Sequence, residues 1–330
     1  MNVRWGLIGA GDIVRKRVAP ALRDVAGSRL LGVARAHADR VEEFARAFGA
    51  DRWYRDDREL LADPQVDAVY VATPVHLHAE QAVAAAEAGK HVLCEKPMGL
   101  DVAECDRMIA AARAHGVRLG VAYYRRFYPV VGRIKALLAA GEIGKAVICQ
   151  VNAFEWLDMP RDHPRGWFMR KAESGGGPMF DFGCHRIEVL LNLFGPARRV
   201  SGLVANAYFE REVEDTAAAL LELGEGTCAT LAVTHATSEP RDTLDVFGTR
   251  GAIHVPALNE GDLVVTAAGK TRREAHPPAA NLHAPLVKDF VDAVLEGRDP
   301  AVTGDTGRAV AAIEEQIYAG SRPASRSASA

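Results

Sequence analysis

The stretch "VRWGLIGAGDI", which spans Val3–Ile13, decides how the first third of the chain folds. Its apolar beginning is typical of a buried strand, and Gly9-Ala10-Gly11 follows directly. A helical pattern then covers residues 16–26. Glycines between a strand and a helix let the backbone approach a pyrophosphate at the helix N-terminus. The stretch therefore predicts a dinucleotide-binding turn, with the cofactor beside Gly9, Gly11, Asp12 and Ile13.

The third glycine of the usual G-x-G-x-x-G pattern is missing, because Val14 stands at that position. An ordinary tight turn between a strand and a helix therefore remains an alternative interpretation. The residues that follow favour the dinucleotide site, since short apolar runs and helical patterns alternate as far as residue 123. Such alternation predicts a parallel sheet with helices on both faces.

The pattern changes near residue 123, and from Lys145 onward strands follow one another with little helix between them. The predicted strands are 146–155, 198–208, 216–223, 227–235, 242–248, 251–255 and 262–267. A run of this kind predicts a largely antiparallel sheet in an α+β domain. Two helices are predicted after it, at 284–296 and 305–319. The predicted fold class is α/β, with a dinucleotide-binding domain at 1–123, an α+β domain at 124–320 and a small, polar, disordered tail at 321–330.

The overall composition excludes several classes of function. A net charge of −3 gives no general attraction to nucleic acid or to an acidic membrane surface. No stretch approaches about 18 uncharged apolar residues, so no membrane span is predicted. The five cysteines are scattered and never form a Cys-x-x-Cys pair, which favours reduced thiols in the cytoplasm. We expect a small-molecule partner, and neither nucleic acid nor membrane.

The end of the second predicted strand bears on the choice of cofactor. NAD sites usually place an Asp or Glu about 20 residues after the glycines, but Arg35 lies near that position and Arg40 shortly beyond it. A guanidinium can pair with the 2′-phosphate of NADP, which a carboxylate would repel. The sequence therefore favours NADP over NAD. The alternative is that both arginines lie on a solvated surface.

The stretch "ATPVHLHAE" (72–80) follows another predicted strand. Ligands of open α/β sheets bind beyond the carboxyl ends of the strands. Residues of this stretch are therefore predicted to line the cofactor cleft, namely Thr73, Pro74, His76 and His78. The two histidines could also suggest a metal pair, but the sequence shows no third or fourth ligand. We predict no metal.

The stretch "CEKPMG" (94–99) places Lys96 after a further strand, between Glu95 and Pro97. A residue before proline is restricted to an extended backbone, which limits the directions that its side chain can take. A cationic amine beside a substrate hydroxyl would stabilise a developing alkoxide. Lys96 is therefore a candidate catalytic residue, and an ordinary surface lysine is the alternative.

The stretch "GGGPMFDFGCH" (175–185) carries two titratable residues four positions apart. Pro178 suits the first position of a helix, from whose first turns Asp181 and His185 would project on one face. The glycines would leave a turn with no side chain to obstruct a ligand lying across it. A histidine can accept a proton near neutral pH, and the aspartate can orient it or hold a second hydroxyl. The alternative is a favourable acid at a helix N-terminus and a satisfied core histidine.

Taken together, these motifs resemble a known family. The stretches "GLIGAGDI", "ATPVHLHAEQAVAAAEAGKHVLCEKP", "YYRRFYP" and "SGGGPMFDFGCHRIEVL" are similar to those of the glucose–fructose oxidoreductase/inositol dehydrogenase (Gfo/Idh/MocA) family. The resemblance covers roughly residues 3–320. It implies an N-terminal Rossmann domain and a C-terminal α+β domain with an open, mostly antiparallel sheet. It also implies a homodimer or homotetramer.

The resemblance assigns roles to individual residues. It implies that Lys96, Asp181 and His185 form the catalytic set, and that a cis peptide bond precedes Pro97. Substrate-facing residues would come from the loops 155–174 and 235–242. The residues expected at the cofactor, in addition to those above, are Glu95, Lys96, Pro97, Arg126 and Trp167.

The implied activity is hydride transfer between a nicotinamide cofactor and a carbinol carbon of a sugar, polyol or related cyclic alcohol. In this interpretation His185 exchanges the hydroxyl proton, Lys96 polarises the oxygen and Asp181 positions the substrate or tunes His185. One alternative is an NAD-dependent glycosidase that oxidises its substrate transiently. Another is a non-catalytic NADP-binding sensor, against which the presence of a complete proton-transfer set argues.

Overall fold

The computed structural model of the chain describes residues 2–34, 41–160 and 162–321. These residues form two compact units. The first unit comprises Met1–Tyr128 and Pro278–Ala311, and the second comprises Pro129–Pro277 and Ala312–Ala330. Nearly all of the predicted tail, 322–330, lies outside the described residues.

The elements follow one another as the sequence patterns predict, with a few additions. The strands are β1 (Val3–Ile8), β2 (Ser28–Ala34), β3 (Arg52–Tyr54), β4 (Ala68–Val71), β5 (His91–Cys94), β6 (Leu119–Val121), β7 (Ala146–Trp156), β8 (Ala197–Ala205), β9 (Thr216–Leu223), β10 (Thr227–Thr234), β11 (Ala236–Gly248), β12 (Gly251–Val255), β13 (Asp262–Ala267) and β14 (Lys270–Ala275). The helices are α1 (Ala19–Asp24), α2 (Val41–Phe48), α3 (Asp57–Ala62), α4 (His78–Glu87), α5 (Val102–Ala114), α6 (Pro129–Ala139), α7 (Lys171–Ser174), α8 (Cys184–Phe194), α9 (Ala284–Glu296) and α10 (Gly304–Gly320).

The first unit contains a parallel sheet of six strands in the order β3-β2-β1-β4-β5-β6. This is the strand order of a Rossmann sheet, which confirms the predicted fold of the N-terminal part. Strands β2 and β3 are added on one side of β1, and β4 to β6 on the other, so the strand order reverses between β1 and β4. Ligands of such sheets bind at this point, outside the carboxyl ends of the strands. The glycine turn after β1 and the loop after β4 both lie at this edge.

Helix α9 belongs to the first unit, although the sequence analysis assigns it to the second domain. Its Phe290 is completely buried, and the ring centroid lies 5.4 Å from that of Trp5 in β1. Arg118, just before β6, also forms an ion pair of 2.7 Å with Asp299, just after α9. The helix therefore completes the apolar core on one face of the Rossmann sheet.

The second unit contains a mixed sheet of eight strands in the order β14-β13-β12-β11-β7-β10-β9-β8. Only the pair β7 and β10 is parallel, so the predicted, mostly antiparallel sheet is confirmed. Residues alternate between the faces, and one face buries Cys149, Val151, Leu231, Val233 and Leu244. The carboxyl ends of β7 and β10 lie side by side because these two strands run in the same direction.

Four short elements escape the sequence patterns, namely β3, α3, α7 and β14. β14 is the polar stretch "KTRREA" at the edge of its sheet, and five of its six residues are exposed. Charged edge strands resist pairing with other chains, and they show no apolar alternation from which they could be predicted. The predicted loop 235–242 is wrong in one respect, because β11 begins at Ala236 and a bulge interrupts its pairing with β7 between Ala236 and Arg241.

No helix in the described part of the chain is long and apolar enough to cross a membrane. All five cysteines carry free thiols, as predicted, and four of them are buried. Burial raises the pKa of the thiols of Cys94 and Cys149, which keeps both in the unreactive protonated form.

Candidate active site

The two glycines after β1 have different surroundings. A Cβ atom on Gly9 would lie 2.5 Å from the carbonyl oxygen of Ala72, and the φ of Gly9 is +104°, so this position requires glycine. A Cβ atom on Gly11 would meet nothing within 4 Å. Gly9 is thus needed by the fold, whereas Gly11 leaves open space beside the backbone. This space suits a pyrophosphate group.

The helix after this turn begins earlier than predicted. A π-helical turn over Val14–Val18 leads into α1, and the Val14 side chain is completely buried. Val14 therefore packs into the apolar core, at the position where the usual G-x-G-x-x-G turn has its third glycine. Asp12 is exposed and Ile13 is half-buried at the start of the helix. Arg35 and Arg40, the predicted partners of a 2′-phosphate, lie outside the described residues.

His78 is 1% exposed and connects two loops at the carboxyl edge of the sheet. Its Nε2 lies 2.9 Å from the carbonyl oxygen of Thr73, and its Nδ1 lies 2.9 Å from that of Pro97. Burial lowers the pKa of His78, although both carbonyl contacts act in the opposite direction. A carbonyl oxygen lies 2.9 Å from each ring nitrogen, so neither nitrogen has room for a metal ion. His78 therefore ties the loop after β4 to the loop that carries Lys96.

The remaining residues of the loop after β4 are placed as follows. The Thr73 hydroxyl donates to the Gln81 side chain at 2.6 Å. Pro74 precedes a 3₁₀ turn over Val75–Leu77, in which His76 is half-buried. These side chains line the carboxyl end of β4, where the sequence analysis expects a cofactor.

Glu95 is buried and its carboxylate is used within the first unit. Oε1 accepts a hydrogen bond from the Tyr70 hydroxyl at 2.8 Å and lies 3.3 Å from Nε2 of His283. Burial alone would raise the pKa of Glu95, but His283, Lys96 and Tyr70 together hold it below its ordinary value. Oε2 accepts from the backbone N–H of Lys96 at 3.2 Å. The Glu95 carboxylate therefore fixes the backbone that carries Lys96. The predicted contact between Glu95 and the cofactor stays a prediction.

Lys96 is half-buried in the loop after β5. The peptide bond between Lys96 and Pro97 is cis, as the resemblance implied. Arg126 lies in a 3₁₀ turn over Tyr124–Phe127 of the same unit. Trp167 lies in the second unit, in the 3₁₀ turn Gly166–Met169, and its ring centroid is 4.0 Å from that of Phe168.

The glycine segment at 175–177 is packed against its own unit. Cβ atoms on Gly175, Gly176 and Gly177 would lie 2.3 Å from the Phe180 ring, 2.1 Å from the Tyr318 hydroxyl and 2.0 Å from the Glu214 carbonyl oxygen, respectively. The expectation that these glycines clear a path for a ligand is therefore wrong. They allow other parts of the protein to approach the backbone.

Glu214 is the centre of this packing. Its buried carboxylate accepts hydrogen bonds from the backbone N–H of Gly177 at 2.8 Å and from the hydroxyl of Tyr318 at 2.6 Å. The N–H of Met179 also donates to it, at 3.3 Å. Burial and the adjacent Glu214 carboxylate raise the pKa of Tyr318, which therefore remains a donor. The contacts of Glu214 fix the start of the helix that carries Asp181 and His185.

Asp181 and His185 lie on a continuous helical segment, as predicted. Its first turn, Met179–Gly183, is a π-helix that leads directly into α8. His185 is 1% exposed, whereas the Asp181 side chain is 18% exposed. Oδ2 of Asp181 lies 3.6 Å from Nε2 of His235. The structure thus places a histidine beside Asp181 that the sequence analysis did not consider.

His235 and Glu155 complete a cluster with Asp181. Nε2 of His235 lies 3.9 Å from Oε1 of Glu155, and one atom from each of the three residues lies within 4.8 Å of the others. Glu155 lies near the end of β7 and His235 follows β10, so the parallel pairing of these strands brings them together. His235 is 1% exposed, while half of the Glu155 side chain is exposed.

Arg211 determines which nitrogen of His235 carries the proton. Its Nη2 lies 3.0 Å from Nδ1 of His235 and 2.9 Å from the carbonyl oxygen of Glu214, and its Nη1 lies 3.1 Å from that of Leu157. A guanidinium can only donate, so Nδ1 must accept. The neutral ring of His235 therefore carries its proton on Nε2, the atom that faces the two carboxylates.

The pKa of Glu155 is raised, first by burial and then by the negative charge of Asp181, against opposing contributions from His235, Arg186 and Arg165. A carboxyl group with a raised pKa binds more protons in the folded than in the unfolded protein. Its contribution to stability is therefore lost as the pH rises from the ordinary value of 4.5 through the raised value.

We accordingly expect the Glu155→Gln variant to gain stability relative to the wild type as the pH rises through this range. The measurement is urea denaturation of both proteins from pH 4 to pH 8. Glu225→Gln, in the exposed turn between β9 and β10, is the matched control and should show no such trend. A difference between Glu155→Gln and the wild type that stays constant across this range would contradict the interpretation.

Sequence reasoning missed His235, Arg211, Glu214 and His283. Glu155 and His235 carried a detectable signal, because they are the first residues of the two loops to which the resemblance assigns the substrate contacts. Arg211 and Glu214 carried none, since they occupy an irregular segment before β9. Their importance depends on the tertiary contacts alone.

Two protein-family models match the chain. The model described as "Oxidoreductase family, NAD-binding Rossmann fold" matches residues 3–123, and the GFO/IDH/MocA C-terminal domain matches residues 131–254. The chain is 31% identical to 1,5-anhydro-D-fructose reductase from Ensifer adhaerens, over 92% of either chain.

Solved structures of oxidoreductases are also similar to this chain. An aldose-aldose oxidoreductase from Caulobacter crescentus, complexed with glycerol, superimposes with a TM-score of 0.89 at 25% identity and 98% coverage of both chains. Levoglucosan dehydrogenase in complex with NADH and levoglucosan superimposes with a TM-score of 0.88 at 25% identity and 97% coverage of both chains.

Proposed function

Because the chain belongs to the Gfo/Idh/MocA family of oxidoreductases, we propose that it transfers a hydride between NAD(P) and a carbinol or carbonyl carbon of a sugar, polyol or related cyclic alcohol. The observation that carries the proposal is the combination of an open glycine turn after β1 with the buried polar cluster around Asp181. The first suits a dinucleotide and the second suits a hydroxylated substrate. Named relatives act on 1,5-anhydro-D-fructose and levoglucosan, which are compounds of this class.

The nicotinamide supplies the hydride chemistry when it is bound, and the chain supplies orientation and proton transfer. The backbone at Gly9, Gly11 and Ile13 holds the pyrophosphate. Thr73, Pro74 and the loop of Lys96 lie at the carboxyl edge of the same sheet, where the rest of the dinucleotide binds.

Three side chains act on the substrate in this proposal. Lys96 donates to the reacting oxygen and stabilises negative charge on it. His185 accepts the hydroxyl proton during oxidation and returns it during reduction. Asp181 accepts a hydrogen bond from a substrate hydroxyl and so orients the sugar. Glu214 and His78 position the segments that carry these residues.

The two alternative functions, an NAD-dependent glycosidase and a non-catalytic NADP-binding sensor, are less well supported. The relatives named above are a reductase, an aldose-aldose oxidoreductase and a dehydrogenase, which favours net oxidation or reduction over glycoside cleavage. A non-catalytic sensor would have no use for a proton-transfer set. A screen of sugars and polyols with NAD and NADP, followed by nicotinamide absorbance, tests the proposal. Cleavage of a glycoside without a net absorbance change would support the glycosidase instead.

The glycine turn gives a direct test of cofactor binding. The Gly11→Val variant should fold normally, because a Cβ atom at this position lies in open space, with nothing within 4 Å. It should bind NADP at least about tenfold more weakly, because the side chain occupies the space of the pyrophosphate. Calorimetry measures the affinity and thermal unfolding measures the stability. Gly9→Val is the contrast, since it should lower stability itself. Undiminished NADP binding by Gly11→Val would contradict the placement of the pyrophosphate.

The preference for NADP is part of the proposal and rests on Arg35, Arg40 and the missing acid. A charge-assisted pair with the 2′-phosphate contributes about 1.5–3 kcal/mol, or roughly ten- to hundredfold in affinity. We expect Arg35→Asp to reverse or abolish the preference when dissociation constants for NADP and NAD are compared. An unchanged ratio would identify Arg35 as a surface arginine.

We also propose that the protein forms a homo-oligomer through the exposed face of its second sheet. That face carries Leu203 and Leu220, which are 61% and 53% exposed. Apolar side chains on an exposed sheet face are typical of a surface that another molecule covers. Light scattering of the wild type and of Leu220→Glu, which should weaken association, measures the assembly.

A further inference from the structure

We infer that Glu155, Asp181 and His235 form a subsite that binds a single substrate hydroxyl, with His235 as donor and the carboxylates as acceptors. This inference deepens the proposed function and rests on it for the identity of the substrate class. It assigns a defined role in binding one hydroxyl to His235 and Glu155, each the first residue of a loop expected to face the substrate.

The first step of the argument is the state of His235. Its Nε2 has no hydrogen-bond partner among the described residues, although the ring is 1% exposed. Arg211 donates to Nδ1, so the proton of the neutral ring is on Nε2. A buried N–H without an acceptor is unfavourable, and such groups are uncommon outside functional sites. His235 is therefore a donor that is held ready for an acceptor.

The second step is the geometry around that donor. The carboxylate oxygens of Asp181 and Glu155 lie 3.6 Å and 3.9 Å from Nε2, which is too far for direct hydrogen bonds. Nε2 itself has almost no accessible surface, so an oxygen atom reaches it only when the half-exposed Glu155 side chain moves aside. Such an oxygen would lie within about 2.8 Å of Nε2 and of a carboxylate at once. A hydroxyl at this position would accept a hydrogen bond from His235 and donate one to Asp181 or Glu155, so that both its oxygen lone pair and its proton are used.

The third step excludes a metal ion, which the same three residues could otherwise hold. Coordination by Nε2 requires its lone pair, but the hydrogen bond from Arg211 already uses the lone pair of Nδ1. A metal would therefore need an imidazolate, or would have to break a contact with a guanidinium that two backbone carbonyls hold in place. A neutral hydroxyl needs neither change.

The neighbouring side chains restrict the orientation of the His235 ring. Arg186 forms a salt bridge of 2.5 Å with Asp242 of β11, and both side chains lie on the same face of the sheet as the subsite. The Phe182 ring contacts the His235 ring edge-on, with centroids 5.0 Å apart. The charged and titratable groups that face His235 are Glu155 from β7, Asp181 from the helix and Arg211 from the loop before β9. The ring therefore has little freedom to turn its Nε2 elsewhere.

The first experiment observes His235 without turnover. The holoenzyme is labelled with ¹⁵N-histidine, and the Nε2 signal of His235 is identified by its loss in His235→Gln. Glycerol, levoglucosan and D-glucose are the probes, and 1,4-dioxane, which has no hydroxyl, is the control. We expect the hydroxylated probes to shift the signal and dioxane to leave it unchanged. A signal that no hydroxylated probe moves, or that only Mg²⁺ or Zn²⁺ moves, would overturn the inference.

The second experiment uses any sugar that the enzyme oxidises. His235→Phe keeps the ring but removes the donor, and should raise KM about ten- to hundredfold with a smaller change in kcat. His235→Gln can accept from Arg211 and donate towards the carboxylates, so it should restore most of the loss. Glu155→Gln removes the charge and replaces one acceptor oxygen by an N–H donor, with little risk to folding because the side chain is half exposed. His115→Phe, at the exposed end of α5 in the first unit, is the control and should leave KM unchanged.

The two experiments separate failure of the inference from failure of the proposed function. If no sugar is oxidised while hydroxylated probes still shift the His235 signal, the proposed function fails and the subsite stands. If a sugar is oxidised but His235→Phe keeps the wild-type KM, the subsite is wrong and the proposed function stands.

Discussion

Replacing His185 by asparagine is expected to lower turnover by about 10²–10⁴, which is the usual effect of losing a general acid or base. The proposed mechanism requires His185 to accept the hydroxyl proton during oxidation, and an amide cannot do so. Asparagine is preferred to alanine because His185 is 1% exposed and a small side chain would leave a cavity. The measurement is kcat for the best substrate of the sugar screen.

The same variant should bind NADP normally, because the glycine turn belongs to the other unit. In the wild type, oxidation should become faster as the pH rises and the imidazole loses its proton. This dependence should disappear in His185→Asn. If the variant keeps both the wild-type turnover and its pH dependence, the proton goes elsewhere, and Lys96 becomes the next candidate.

The Gly177→Ala variant is expected to lose about 3–5 kcal/mol of stability, the largest effect that we predict on folding. Its Cβ atom would lie 2.0 Å from the carbonyl oxygen of Glu214, and backbone atoms cannot turn away as a flexible side chain can. Relief of this clash would also disturb the hydrogen bond from Gly177 to the Glu214 carboxylate. The free energy of unfolding in urea measures the loss.

Gly132→Ala is the matched control within the same unit. Gly132 lies in α6, is exposed, and has no atom within 4 Å of the position of a Cβ. Alanine there should stabilise the protein by about 0.5–1 kcal/mol, because glycine is unfavourable in a helix. If Gly177→Ala were as stable as the wild type, the Glu214 contacts would not be what fixes the start of this helix.

The candidate site was only partly predictable, because some of its residues are neighbours in the sequence and others come together only in the folded protein. Asp181 and His185 share one helix, so their spacing alone predicted that they lie together on it. Glu155 and His235 share nothing local, and they meet only because β7 and β10 pair in parallel. A parallel pair joins strands that are distant in sequence, so no turn signal between them reveals the partner.

The glycines at 175–177 illustrate a different difficulty. Three adjacent glycines correctly indicated a close approach to the backbone, but a sequence cannot show what approaches. A ligand was the natural hypothesis beside two titratable residues. The structure shows instead the Phe180 ring, the Tyr318 hydroxyl and the Glu214 carbonyl.

The sequence by itself determined most of the elements and the parallel arrangement of the first sheet, which depend on apolar periodicity and on turn and cap residues over a few neighbouring positions. Its four family-like stretches also indicated the family and, through that resemblance, the Rossmann fold. Only the tertiary structure decided that α9 completes the first unit, that Glu214 holds the glycine segment, and that His235 presents an N–H to Asp181 and Glu155. Each of these depends on contacts between segments far apart in the chain, and the energies of such contacts are set by packing and hydrogen bonding that no local pattern records.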